Sequence, residues 1–306
     1  MSLINELKID SKKTADAIID FIKKKVEYFK RDGVILGISG GLDSACIAGL
    51  SVRAIGNENI LGLIMPERDS PPKSKEDSEL VAKSFGIKTK FIDLTPILEC
   101  FGIYSTPTGK SIEGKGLSAK LIQMGYKLFP AGKSPFIGGL LGTKHKWMRQ
   151  VEAYYRIKHR MRMATLYYWG EYHNYLVVGT SNRTEALTGF FIKYGDGAAD
   201  IMPIETLYKT QVKALSRFLG VPQTIIDKKP SPDILPGITD ELALGISYEK
   251  LDQILLGLKK EMEEKTIAKD VGVRETTIEY VKKLINLSNH MRNLPERWEI
   301  SEQEEE

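Results

Sequence analysis

The fold class is decided by one stretch of the 306-residue sequence, Gly37-Ile38-Ser39-Gly40-Gly41-Leu42-Asp43-Ser44. A short β-branched run, Val34-Ile35-Leu36-Gly37-Ile38, leads into it and predicts a buried strand. Small and apolar residues from Ser44 to Leu50 follow and predict a helix. A strand, a glycine-rich turn and a helix in this order indicate an α/β protein with a parallel sheet.

The turn itself has the chemistry of a phosphate-binding loop. Adjacent glycines, Gly40 and Gly41, let the backbone approach an anion, and the following helix points its free N–H groups at the same place. Ser39 and Ser44 add hydroxyl donors, and the carboxylate of Asp43 can hold a magnesium ion that bridges phosphates. The loop lacks the Gly-Lys-Ser/Thr ending of a Walker loop and is not a G-x-G-x-x-G motif. A tight turn capped by Asp or Ser is the alternative.

Outside this loop, strands continue to alternate with helices. The pattern predicts a doubly wound parallel sheet with helices on both faces and a helical C-terminal segment, forming one domain over residues 1–306. Predicted strands cover residues 34–38, 60–65, 88–94 and 175–178. Predicted helices cover residues 12–30, 44–50, 74–85, 156–168 and 210–219, and three more lie between residues 247 and 287.

Residues 105–148 interrupt the alternation. They are rich in Gly, Pro, Ser and Lys, show weak periodicity, and predict an inserted basic loop or lid. Glu113 is their one clear acid, and the bases are Lys110, Lys115, Lys120, Lys127, Lys133, Lys144, Lys146 and Arg149. A solvated loop, a lid over an anionic substrate and an RNA contact surface are all compatible with this composition.

The composition is that of an ordinary globular protein. Hydrophobic residues make up 42% of the chain and charged residues 27%, and the net charge of +4 favours a normal surface over a large polyanion-binding one. The two cysteines, Cys46 and Cys100, form no CxxC pair, so a zinc ribbon or redox dithiol is not supported. Without a signal peptide or a long apolar stretch, we expect a cytoplasmic protein that does not span a membrane.

The hexapeptide Ser39-Gly40-Gly41-Leu42-Asp43-Ser44 resembles the SGGxDS loop of the N-type ATP pyrophosphatases, which have an adenine nucleotide α-hydrolase-like fold. Members of that group split ATP between its α and β phosphates. Residues 178–200 (VGTSNRTEALTGFFIKYGDGAAD) narrow the resemblance to the ammonia-dependent NAD synthetase family, whose signature is a Gly-Thr strand end, a Glu and TGFFxKYGDGxxD. Further similarity lies in residues 207–211, 229–233 and 239–248.

The resemblance implies a set of site residues. Catalytic roles fall on Asp43, Glu185, Lys193, Asp196 and Lys209, and a Mg²⁺ site on Asp43 and Glu185. ATP binding falls on Gly37, Ser39, Gly40, Gly41, Asp43, Ser44, Arg162, Thr180, Lys209 and Ser231. Binding of the acid substrate falls on Arg156, Lys193, Asp196, Asp200 and His290, although Asp200 is equally suited to cap a helix.

The implied reaction is the amidation of a carboxylate, with ATP as co-substrate. The carboxylate of deamido-NAD attacks the α-phosphate of ATP and releases pyrophosphate, and ammonia then attacks the acyl-adenylate to give NAD and AMP. The expected partners are ATP, deamido-NAD, ammonia from solution or a separate donor protein, and a second copy of the chain in a homodimer. Amidation of another anionic carboxylate is the main alternative. A tRNA-modifying enzyme fits less well, because the cysteine pair of the thiolating families is absent and KYGDG does not belong to them.

Two departures from the family pattern concern the acid substrate. The usual Asn-Val/Ile-Lys-Ala-Arg-x-Arg-Met is replaced by Arg156-Ile157-Lys158-His159-Arg160-Met161-Arg162-Met163, so that Arg156 stands in place of Asn. The usual His-Lys-Arg near the C-terminus is His290-Met291-Arg292, which lacks the lysine. We therefore expect an intact ATP site and an altered acceptor site, in which the basic lid binds the acid substrate in place of the lysine that Met291 replaces.

Overall fold

The computed structural model describes residues 2–113, 135–142, 145–231, 238–295 and 297–298. Four parallel strands form its sheet: β1 (Gly33–Gly37), β2 (Ile60–Ile64), β3 (Lys88–Phe91) and β4 (Tyr175–Val177). Their order across the sheet is β3-β2-β1-β4, with Val34 opposite Ile60 and Leu176. The predicted parallel α/β sheet is thus confirmed, each strand lying within two or three residues of its predicted position.

Helices surround this sheet and continue beyond it. In chain order they are α1 (Leu3–Glu6), α2 (Ser11–Tyr28), α3 (Leu42–Ile55), α4 (Pro72–Phe85), α5 (Thr95–Cys100), α6 (Pro107–Glu113), α7 (Pro135–Leu141), α8 (Lys146–His173), α9 (Arg183–Thr188), α10 (Lys209–Leu219), α11 (Gln223–Ile226), α12 (Asp240–Leu244), α13 (Tyr248–Lys259), α14 (Glu264–Val271), α15 (Glu275–Leu287) and α16 (Asn289–Arg292). In the described part of the chain, no helix combines the length and apolar character needed to cross a bilayer.

The alternation of buried residues along β1 places helices on both faces of the sheet. Val34 and Leu36 pack into one core with α2, α3 and α10, whereas Ile35 packs into a second core with α5 and α8. Adjacent strand residues point to opposite faces, so a central strand buried on both sides must be apolar throughout. The doubly wound arrangement follows, and Cys46 is fully buried in the first core.

The C-terminal helices form a third core of their own. Leu251 and Ile254 of α13, Ile267 of α14 and Leu284 of α15 are fully buried together. The three helices predicted between residues 247 and 287 are therefore confirmed. Phe190, which follows α9, packs against this core.

The segment at 105–148 is more helical than its composition predicts. It contains α6 and α7, and α8 begins at Lys146, ten residues before its predicted start. Weak periodicity concealed these helices, because helices of seven residues are too short to show a clear period. Pro107 and Pro135 are the first residues of their helices, a position that proline tolerates. Residues 114–134 and 143–144, with Lys115, Lys120, Lys127, Lys133 and Lys144, lie outside the described residues, so the basic lid stays a prediction.

Candidate active site

A cleft opens at the carboxyl ends of the parallel strands, where open α/β sheets bind their ligands. Its volume is about 1190 Å³, and it is bounded by the turn after β1, the chain after β2 and β4, and one side of α8. The two described flanks of the basic segment also line it, through Pro107, Phe136 and Leu140. The cleft is therefore large enough for a nucleotide together with a second substrate.

The predicted phosphate loop lies at the floor of this cleft. Gly41 precedes the first turn of α3 without a capping side chain, so the N–H groups of that turn are not taken by a cap. Ser39 and Ser44 bond each other at 3.1 Å between their hydroxyl oxygens, and the Ser44 hydroxyl donates to Gly41 O at 3.0 Å. Both serines line the cleft together with Gly37, Gly41 and Asp43.

Gly40 differs from its neighbours in the loop because it faces α4 and not the cleft. Its φ of +71° lies in the left-handed region, and a Cβ there would stand 2.6 Å from the Cβ of Asp77 in α4. Gly40 is thus required for the loop to pack against α4 rather than for direct contact with the cleft, which it does not line.

Lys209 joins two carboxylates beside the phosphate loop. Its Nζ lies 2.5 Å from Asp43 Oδ2 and 2.9 Å from Glu185 Oε1, and all three side chains are largely buried. Lys209 begins α10, Asp43 is in the first turn of α3, and Glu185 is in the first turn of α9. Three of the predicted catalytic residues, from three distant parts of the sequence, are therefore brought together.

Asn182 fixes this arrangement from the start of α9. Its side-chain oxygen accepts from the Glu185 N–H at 3.1 Å, while its amide Nδ2 donates to Asp43 Oδ1 at 3.1 Å. Glu185 Oε2 in turn accepts from the Asn182 N–H at 3.4 Å, which completes a capping box. The cap of one short helix thereby sets the positions of both carboxylates.

The charges of this centre are out of balance. Burial would lower the pKa of Lys209, but the nearby carboxylates of Asp43 and Glu185 outweigh it and raise that pKa well above its usual value. Burial raises the pKa of Glu185, and the negative charges of Asp43 and Asp240 add to this against the opposing charge of Lys209. One lysine therefore faces an excess of buried acid, and a second cation would be stabilised here.

The donor set of Asp43 and Glu185 fits magnesium. Both place a carboxylate oxygen against Lys209 Nζ beside the phosphate loop, and Mg²⁺ is commonly held by one or two carboxylates with phosphate oxygens completing its shell. Within the described ranges no group of three or more His, Cys, Asp or Glu residues has metal-binding geometry. Such a pair suits a metal that arrives with a nucleotide better than one held by protein ligands alone.

Asp240 and Tyr248 complete the centre, although no role was predicted for either of them. The Tyr248 hydroxyl donates to Asp240 Oδ2 at 2.8 Å, and its ring lies 5.0 Å from Lys209 Nζ. Asp240 is buried and lines the cleft. Both residues belong to the motif at 239–248, so the resemblance held a signal, but the contact with Lys209 depends on how α12 and α13 pack.

On the acceptor side, Asp196 and Lys193 are held by main-chain groups. Asp196 Oδ1 accepts from the Ile192 N–H at 2.8 Å, and Lys193 Nζ donates to His290 O at 2.8 Å. Between them Tyr194 adopts a φ of 61°, an uncommon conformation for a non-glycine residue. Lys193, Asp196 and His290 all line the cleft, together with Met291.

Of the remaining predicted residues, four line the cleft and one does not. Arg162 Nε donates to Met65 O at 3.2 Å, and Ser231 Oγ donates to Ile238 O at 3.0 Å. Cleft-lining residues also include Thr180, which follows β4, and Arg156, which donates to Gly139 O at 3.1 Å and pairs with Glu152.

Asp200 is bonded to β4 and to α8. Its Oδ2 accepts from the Val177 N–H at 2.8 Å, and its Oδ1 accepts from the Tyr167 hydroxyl at 3.3 Å. It neither lines the cleft nor caps a helix. Its carboxylate holds the chain after the active-site loop against the end of β4, and its assignment to the acid substrate stays a prediction.

A second buried ionic cluster connects α8 to the chain after β2, and the sequence analysis did not predict it. Lys158 Nζ lies 2.6 Å from Asp69 Oδ2 and 3.1 Å from Glu67 Oε2, and the hydroxyls of Tyr154 and Tyr104 donate to Asp69 and Glu67 respectively. These bonds attach the chain after β2 to α8. The charged triplet Glu67-Arg68-Asp69 shortly after a buried strand was the available signal, but its partners Tyr104 and Lys158 lie 37 to 91 residues away in sequence.

A parallel sheet with the SGGLDS loop at its carboxyl edge, and with two carboxylates around a lysine beside it, defines an adenine nucleotide α-hydrolase-type protein of the N-type ATP pyrophosphatase class. The family model for NAD synthase matches residues 14–151 and 143–295, which together cover most of the sequence. The chain belongs to the NAD synthase family.

Curated relatives and solved structures agree with this membership. The chain is 40% identical over 282 residues to the NH(3)-dependent NAD(+) synthetase of Thermotoga maritima, covering 92% of this chain and 97% of the relative. It is 42% identical over 247 residues to that of Coprothermobacter proteolyticus, covering 79% and 83%. In structure it resembles the NMN synthetase of Francisella tularensis, with a TM-score of 0.72, 25% identity and 96% and 100% coverage. The NH3-dependent NAD synthetase of Campylobacter jejuni, solved with a nitrate ion, gives a TM-score of 0.68, 25% identity and 95% and 100% coverage.

Proposed function

We propose that the protein catalyses ammonia-dependent synthesis of NAD. It adenylates the carboxylate of deamido-NAD with ATP, releases pyrophosphate, and transfers ammonia to the acyl-adenylate to give NAD and AMP. The observation that carries this proposal is the centre of Lys209, Asp43 and Glu185 at the phosphate loop of a chain that aligns over 97% of an NH(3)-dependent relative. The match to nearly the whole relative supports ammonia as the nitrogen source.

In the first half-reaction the chain's own groups bind and orient the triphosphate. N–H groups at the start of α3 and the positive end of its dipole hold phosphate oxygens beside Ser39 and Ser44. Lys209 stays protonated in its acidic surroundings and offsets charge that develops on the leaving pyrophosphate. When bound by Asp43 and Glu185, Mg²⁺ would neutralise further phosphate charge. The cationic Arg162 also lines the cleft.

In the second half-reaction the loop at 192–196 receives the acyl group and ammonia. Lys193 and Asp196 flank Tyr194 in the sequence, and both line the cleft. The same loop therefore provides a cation for the acid substrate and an anion for ammonium. Ammonia is itself the nucleophile, and no covalent bond to the enzyme is required. A closed cleft would protect the acyl-adenylate from hydrolysis.

Two further expectations belong to this proposal. The side chains of Tyr168 and Tyr172 on α8 are exposed, at 60% and 68%, as is Phe91 on the outer strand β3, and burying such rings would favour a homodimer. Sedimentation analysis tests that state. A reaction that consumes ATP is also expected to take place in the cytoplasm.

The test is a product analysis across a panel of acids. Purified protein is incubated with ATP, Mg²⁺, ammonium and one acid, which is deamido-NAD, a shorter mononucleotide acid or an unrelated anionic carboxylate. We expect AMP, pyrophosphate and the amide in equal amounts with deamido-NAD and far less with the others. ADP and phosphate as main products would refute the assigned half-reaction, and preference for another acid would transfer the proposal to that acid.

A further inference from the structure

An imidazole stands beside the acid of the acceptor loop. His159 of α8 lines the cleft, and its Nδ1 lies 3.5 Å from Asp196 Oδ1. The His159 side chain is 17% exposed and the Asp196 side chain 41% exposed, so the pair lies at the wall of the cleft rather than in the core.

The backbone of the acceptor loop is fitted around this histidine. A Cβ at Gly195 would come within 3.0 Å of the His159 Cβ, so the loop approaches α8 as closely as a glycine allows. Asp196, the next residue, is fixed by its bond from the Ile192 N–H. The distance between imidazole and carboxylate is therefore set by two packed elements.

Charged side chains line the cleft together with this pair. Cations of the cleft wall around the pair are Arg156 and Arg160 on the same helix and Lys193 on the loop, and Asp196 is the acid that faces it. The carboxylate of Asp196 would stabilise the positive charge of an imidazolium formed during the reaction. Imidazole changes charge near neutral pH, which suits it to accept a proton.

We propose that His159 is the base that deprotonates ammonium in the amidation step, with Asp196 as its partner. This inference rests on the proposed function. Asp196 binds ammonium, one N–H bond breaks, and the proton passes to the imidazole. The freed electron pair of nitrogen forms the new bond to the acyl carbon. The bond between the acyl carbon and the phosphate oxygen of AMP breaks, and AMP leaves with the electron pair of that broken bond. The excess proton on the new amide nitrogen passes to Asp196, and both protons return to solvent.

The experiment compares His159→Ala and His159→Gln with the unchanged enzyme, using two nucleophiles. With ammonium near neutral pH, we expect kcat/KM for ammonium to fall by about 10²-fold in both variants, since a positioned base contributes about that much. The loss should shrink as the pH passes the pKa of ammonium, because free ammonia then needs no base. Hydroxylamine is already uncharged near neutral pH, so both variants should form the hydroxamate at close to the unchanged rate.

Control experiments distinguish this proposal from the proposed function on which it rests. Exchange of labelled pyrophosphate into ATP with deamido-NAD, but without ammonia, should be unaffected by either variant, and its absence from the unchanged enzyme would refute the proposed function itself. His173→Ala, on the exposed end of α8, is the matched histidine control. Equal losses with ammonium and hydroxylamine, a loss independent of pH, rescue by Gln, or no loss at all would each overturn the role of His159 as the base.

Discussion

Single residues at the centre of the site are governed by charge balance. Lys209 is buried with Asp43 and Glu185 in direct contact, and Asp240 adds a further acid nearby. Removing one carboxylate would therefore relieve negative charge, whereas removing the lysine would leave unpaired carboxylates. This asymmetry separates the effect of a substitution on catalysis from its effect on stability.

Asp43→Asn and Glu185→Gln should each reduce Mg²⁺-dependent pyrophosphate release by at least about 10²-fold, because removing a charge contact at the reacting phosphates costs ~3 kcal/mol or more in the barrier. Thermal midpoints of both variants should stay near that of the unchanged protein, since Lys209 keeps one carboxylate partner. Pyrophosphate release and calorimetry measure the two effects. Unchanged turnover in a folded variant would remove that residue from the proposed metal site.

At the residue scale, sequence motifs predicted which side chains lie together, and the catalytic roles of those side chains stay predictions. Asp43, Glu185 and Lys209 were identified from the SGGLDS loop and the family signature, and parallel strands bring their segments to one edge of the sheet. The partners of Lys158 and the approach of His159 to Asp196 could not be predicted in this way. Each contact depends on which face of a long helix packs against a distant loop, and tertiary packing decides that face.

At the scale of elements, α8 organises one wall of the cleft. Lys158 of this helix pairs with Glu67 and Asp69 in the chain after β2. Arg162 of the same helix donates to Met65 O, directly after β2. Periodicity predicted this helix from residue 156, but its first ten residues follow a stretch rich in glycine and lysine, which obscured the start. The short helix α9 was also missed, since six residues are too few to show a helical period.

Replacing the central lysine of this connection should destabilise the protein strongly. Lys158→Met keeps the length of the side chain but leaves the buried carboxylates of Glu67 and Asp69 without their cation, and we expect a loss of about 3–5 kcal/mol in the free energy of unfolding. Lys282→Met is the matched control, since its pair with Glu264 is half exposed and should contribute less than ~1 kcal/mol. Denaturant titration measures both, and similar small losses would contradict the assigned role of the cluster.

At the scale of the whole molecule, the cleft lies between cores that belong to different parts of the chain. The sheet core supports the phosphate loop, and the C-terminal core supports the opposite wall through Phe190 and Leu140, which pack on it and line the cleft. Buried bonds join the two: Asp252 of α13 accepts from the Thr184 hydroxyl at 2.5 Å and from the Thr210 N–H at 2.8 Å. Both halves should therefore unfold as one unit.

Cavity-forming substitutions in the two cores test this directly. Leu50→Ala in the sheet core and Leu251→Ala in the C-terminal core remove fully buried side chains, and each should cost about 2–5 kcal/mol. Because the cores share buried polar contacts, calorimetry should show a single transition for both variants, at a lower midpoint than the unchanged protein. Saturating ATP with Mg²⁺ should raise that midpoint in both, by the equivalent of ~2.7 kcal/mol at a hundredfold excess over Kd, since both cores support the cleft. If Leu251→Ala instead produced an early separate transition, with hydrogen exchange in α13–α15 rising while β1 stayed protected, the C-terminal helices would be an independent unit and the single-domain prediction would be wrong.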